Sequence, residues 1–167
     1  MRPIEPTLLG QLYRQHAPAL RLYARQWEEG AEDLVQNAFV RLAQQVPPPS
    51  QVVPWLYRVV RNEGLVAQRS AARRRRRERR AGTPEAWFSA AEGSLDADEA
   101  ARLLAELPLE LREVIVVRLW GGLTFEAVAA LVGCSLPTAH RRYHAGLAQL
   151  RERLHGQWTR TPTSPTT

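Results

Sequence analysis

The sequence predicts an all-α protein of two small helical domains joined by a linker, the second containing a helix-turn-helix. Three observations carry that reading. Apolar residues recur three or four apart through most of residues 7–154. Residues 81–99, AGTPEAWFSAAEGSLDADE, carry five acids, no basic residue and no sustained period, as a linker would. Residues 123–154 hold two helical patterns with only Gly133, Cys134 and Ser135 between them. The expected organisation is a domain at 1–80, a linker at 81–99, a smaller domain at 100–156 and a disordered tail at 157–167.

Each element follows from its own spacing. Residues 7–27 predict a helix with Leu8, Leu9, Leu12 and Tyr13, then Leu20, Tyr23, Ala24 and Trp27, as apolar faces and a break near Pro18. Glu28 to Gly30 read as a turn. Residues 31–45 predict a second helix: Glu32 and Asp33 suit its positive end, and Leu34, Val35, Ala38, Phe39 and Leu42 form the buried stripe. The Pro-rich run at 46–50 is a loop. Pro54 opens a third helix that buries Trp55, Leu56, Val59, Val60 and Val66 and runs into an Arg block. After the linker come Leu103, Leu104 and Leu107, a break at Pro108, and a helix in which Leu111, Ile115 and Leu119 are one turn apart. The β-branched run Val114 to Val117 permits a strand, but its helical neighbours favour a buried helix.

In the last segment Thr124 is placed to cap a helix with Val128, Leu131 and Val132 inward, and Gly133 to end it in a left-handed turn. Ser135 caps a second helix whose inner face is Leu136, Ala139, Tyr143, Leu147, Leu150 and Leu154. Pro137 falls in its first turn, where a missing N–H breaks no intrahelical bond. The opposite face offers Thr138, Arg141 and Arg142, with His140 and His144 at its margins. A helix so presented suits a DNA major groove, although small helical bundles show similar spacing.

Charge sharpens this. The chain has 167 residues and a formal net charge of +6, with 23 basic residues that are all Arg. A GC-rich genome accounts for the absence of Lys, yet Arg still makes forked contacts to phosphates and guanine edges. Residues 69–80, RSAARRRRRERR, hold eight Arg against Glu78 alone, so the excess is local and suits a polyanion. The helix leading into it interleaves Trp55, Tyr57, Arg58, Arg61 and Asn62, a pattern that can hold single-stranded nucleic acid, although Trp55 fits the core better.

Other classes find little support. Cys134 is the single cysteine, so no internal disulfide framework is expected and a reducing cytoplasm fits. There is no apolar run of transmembrane length, and the polar start does not read as a signal peptide. Cys134, His140 and His144 supply at most three ligands where structural zinc wants four, so no metal is expected. No phosphate loop, Ser/His/Asp pattern or isolated carboxylate pair suggests an enzyme or a cofactor.

Two motifs carry a family resemblance. Residues 33–39, DLVQNAF, and 55–62, WLYRVVRN, running into the Arg-rich end, resemble region two of a bacterial sigma factor. Leu107-Pro108 with the helix-turn-helix resembles region four. Two such regions and a short linker, covering about residues 7–155, are similar to the extracytoplasmic-function (ECF) class. The resemblance implies a non-enzymatic cytoplasmic protein that binds core RNA polymerase and promoter DNA and promotes initiation, with an anti-sigma factor as a further candidate partner. It implies polymerase contacts from Asp33, Gln36, Asn37 and Arg41. It implies contacts to the −10 element from Arg58, Arg61, Asn62, Arg69 and Arg73, and to the −35 element from Thr138, His140, Arg141 and Arg142. The chain departs from the family in its short Pro-rich loop 46–53, in Asn37 where an acid is frequent, and in Ala127 where an acid would complete a capping box with Thr124.

Overall fold

The computed structural model describes residues 3–27, 30–78 and 102–158, with side chains through 74 and 155 in the last turns of two helices. The expected linker at 81–99, with Trp87 and Phe88, lies outside the described residues. So do most of the expected tail and the side chains of the Arg block beyond Arg74. Every regular element among the described residues is helical. The first half comprises α1 (Pro6–Ala24), a 3-10 turn (Arg25–Trp27), α2 (Ala31–Gln44) and α3 (Val52–Glu78). The second half begins with a helical turn at 102–105 and continues through α4 (Leu109–Leu119), α5 (Phe125–Val132) and α6 (Leu136–Trp158). The β-branched run Val114 to Val117 is helical and buried throughout α4.

Helix α1 passes through Pro18 without the break expected there. Pro18 and Arg14, whose carbonyl loses its N–H partner, are both exposed, where water can replace the missing bond. Helix α3 begins at Val52, and Pro54 falls within its first turn, where a missing N–H costs nothing. The caps of the helix-turn-helix form as expected. The Ala127 N–H donates to Thr124 Oγ1 at 3.2 Å and the Thr138 N–H to Ser135 Oγ at 3.3 Å. Gly133 ends α5 at φ 71°, a left-handed conformation that a Cβ would strain.

The core departs from expectation at its edges. Val66, Leu119, Leu136 and Leu154, all expected to be buried, are exposed, as is Leu8. Each lies at or near one end of its apolar run. Val132, Tyr143 and Leu150 are half-buried against the core, and Ala139 is fully buried.

The two halves share one core, which the sequence did not indicate. Helix α1 packs on α4 and α3 on α5, so Tyr23, Trp27 and Tyr57 belong to the same apolar cluster as Val114 and Val117. Tyr23 meets Trp27 and Tyr57 edge to face, at 4.8 and 5.0 Å between ring centroids. Gly121 lies against Tyr57 so closely that a Cβ there would sit 2.8 Å from the phenol ring.

Candidate nucleic-acid interface

Helix α6 packs its inner face on α4 and α5, where Ala139 is fully buried. A Cβ on Gly146 would come within 2.4 Å of the Ile115 side chain, and two surface ion pairs run beside that seam. Arg142 pairs with Glu110 at 3.1 Å, and Arg153 with Glu106 at 2.7 Å. The Phe125 ring stacks on His140, with centroids 3.8 Å apart at 29°, and meets Tyr143 edge to face. The Arg118 guanidinium lies 4.9 Å from the Phe125 centroid while donating to the Leu123 carbonyl at 3.1 Å. The first helix of the motif therefore grips the second through an aromatic stack as well as aliphatic packing.

These anchors sort the four residues expected to meet the −35 element. Arg141 is exposed and forms no ion pair among the described residues. Arg142 is half-buried and engaged by Glu110. Thr138 accepts a hydrogen bond from Ser135 Oγ at 2.9 Å, and His140 is held by its stack. Cys134 is half-buried in the turn, its N–H donating to Ala129 O at 3.0 Å.

Helix α3 brings four of its five expected residues onto one stripe. Arg58, Asn62, Arg69 and Arg73 are all exposed at near-whole-turn spacing. Arg61 is turned away from them: its Nε donates to Glu113 Oε1 at 2.6 Å. Tyr23 Oη donates to the same oxygen at 2.5 Å. Burial lowers the Arg61 pKa, but the bond and charge of Glu113 outweigh it and the net shift is upward. Burial, then the Glu113 charge, raises the Tyr23 phenol well above its ordinary value, so it remains a donor. Trp55, on the same helix, is half-buried against the core, the place its sequence context favours.

On α2, Asp33, Gln36, Asn37 and Arg41 all lie on the exposed face. Arg41 pairs with Glu63 of α3 at 2.8 Å, and Gln36 donates to Glu32 at 3.3 Å. Glu32 is also held by Arg21, whose bond lowers its carboxyl pKa, and by Tyr13.

Sequence reasoning missed the anchors Phe125, Glu106, Glu110 and Arg118, and the buried Glu113. Glu113 left no separate signal, because beside Arg112 at the start of the apolar run Val114 to Val117 it reads as part of a solvated helix turn.

The architecture matches known proteins along most of its length. A model of Sigma-70 region 2 matches residues 12–81, and one of Sigma-70, region 4 matches residues 97–150. The RNA polymerase sigma factor CarQ of Myxococcus xanthus is 32% identical over 155 residues, covering 86% of this chain and 87% of CarQ. This chain belongs to the ECF sigma factors. ECF RNA polymerase sigma factor SigE of Mycolicibacterium smegmatis is 33% identical over 162 residues; the match covers 86% of this chain and 60% of SigE's length. The sigma factor RpoE of Bartonella quintana, solved in complex with the anti-sigma factor NepR, superposes with a TM-score of 0.68 at 26% identity. That match spans 87% of this chain and 96% of RpoE. The ECF sigma factor described here is a promoter-recognising subunit for transcription initiation, with core RNA polymerase and promoter DNA as partners. No helix among the described residues is long and apolar enough to cross a membrane.

Proposed function

We propose that this sigma factor holds promoter DNA at two points and polymerase at a third, and that distinct helix faces do each job. The exposed face of α2, with Asp33, Gln36, Asn37 and Arg41, meets core polymerase. The α3 stripe of Arg58, Asn62, Arg69 and Arg73, joined by Arg61 once it is released, takes the −10 element. Helix α6 enters the major groove at the −35 element with Arg141 leading, Arg142 beside it, and Thr138 and His140 at the margins. On this reading residues 1–80 form the −10 and polymerase domain and residues 100–156 the −35 domain.

The observation that supports it best is the contrast across α6: packing of Ala139 and Gly146 on the neighbouring helices and the Phe125 stack hold one side, while Arg141 stands open on the other. A fixed helix with a free guanidinium suits bidentate guanine recognition, worth about 1–3 kcal/mol of discrimination. The protein acts without catalysis of its own, in the cytoplasm where polymerase and DNA meet. RpoE's capture with an anti-sigma factor extends the proposal to a protein antagonist of the same kind.

Reconstitution with core polymerase tests the assignment. Arg141→Ala is expected to weaken initiation at −35-dependent promoters while polymerase affinity is unchanged. An equal loss of polymerase affinity would mean that this face of α6 contacts polymerase.

A further inference from the structure

The Tyr23–Glu113–Arg61 cluster joins three helices across the two halves of the chain. Glu113 comes from α4, Tyr23 from α1 and Arg61 from α3, and the bonded residues are separated by 90 and 52 positions. The Glu113 side chain is 6% exposed and Arg61's is 24%. Around it Gly121 presses on Tyr57, so the polar cluster sits beside an apolar seam. We infer that this contact is an autoinhibitory latch, in which Glu113 holds Arg61 against the second half of the chain and away from the −10 strand until the halves part. The inference rests on the assignment of Arg61 to that strand.

The chemistry suits a reversible latch. Glu113 presents to Arg61 an anionic oxygen of the kind a DNA phosphate would offer, so nucleic acid can replace the carboxylate without leaving the guanidinium bare. A buried ion pair repays its desolvation only in part, so the closed form gains little net free energy from the charges themselves. Parting the halves rehydrates Glu113 and transfers Arg61 to a new anion. Removing one partner inside the closed form is different, because it leaves the other buried and uncompensated.

Spin labels at Gln11→Cys and Ala148→Cys, both exposed positions, would report the separation of the halves in a Cys134→Ser background. The full chain with Glu113 intact should give one narrow distance distribution. Glu113→Gln should add a long-distance population and tighten binding of a single-stranded −10 oligonucleotide roughly tenfold, the change that about 1.4 kcal/mol produces. Tyr23→Phe, which keeps the ring and removes the donor, should do the same to a smaller extent and supplies the test if Glu113→Gln does not fold. Unchanged distances and affinity in the folded variants would overturn the latch. Opening by Glu113→Gln, with oligonucleotide affinity indifferent to a further Arg61→Ala, would keep the closure but overturn the role of Arg61. Opening with the gain abolished by Arg61→Ala supports both.

Discussion

A guanidinium's partner decides what it can do, and three arginines here show the range. Arg141 is open, Arg142 is shared with Glu110, and Arg61 is committed to Glu113. Arg141→Ala should therefore cost about 1–3 kcal/mol of discrimination at one −35 position. Arg142→Ala should cost less there, because Arg142 must give up its pair with Glu110 to reach a base, and competition binding to duplexes substituted base by base would rank the two. The reverse order would show that Arg142 leaves Glu110 on DNA and leads the contact. A histidine gives the pH dependence. Burial lowers the His16 pKa, so the fold favours its neutral form. Between the folded value and about 6.5 the unfolded chain binds the extra proton, so this contribution is complete above about 6.5 and lost as pH falls through that window. Thermal melts from about pH 7.5 to about pH 5 should show the parent protein losing stability more steeply than His16→Gln. Parallel curves would exclude His16 as a source of the slope.

Elements were legible wherever periodicity and caps agreed. Thr124, Gly133 and Ser135 were read correctly because a helix end leaves N–H and carbonyl groups that few residue types can satisfy. Thr124→Ala should cost about 0.5–2 kcal/mol in chemical denaturation, with an unchanged m-value. Pro18 was misread because the local rule ignores exposure, and on the exposed side of a helix at Arg14 and Pro18 water can replace the lost bond. Leu119 and Val66 were misread because spacing marks a stripe but not how far along it burial extends. Close approaches left no periodic signal at all. A Cβ on Gly64 would come within 2.5 Å of the Trp27 indole, so Gly64→Ala should destabilise the first half by about 1–3 kcal/mol, read from its unfolding midpoint. An unaltered midpoint would mean that Trp27 can retreat.

Across the whole molecule, the motif order and the local charge were enough to resemble a sigma factor, and the resemblance implied the candidate residues. The packing of one half on the other was beyond the sequence: Tyr23, Arg61 and Glu113 are far apart in the chain, and each reads alone as an ordinary helical residue. That packing explains why Arg61 leaves the stripe that Arg58, Asn62, Arg69 and Arg73 share. On the proposed latch, promoter engagement takes opening as well as contact.

The division of labour between α3 and α6 is tested most directly by transcription from a randomised promoter library with reconstituted holoenzyme, sequencing the starts for the parent protein, Arg141→Ala and Arg58→Ala. The preferred bases should change only at the −35 element for Arg141→Ala and only at the −10 element for Arg58→Ala, with polymerase binding intact in both. Changes at the same element for both variants, or at neither, would contradict the two-point grip.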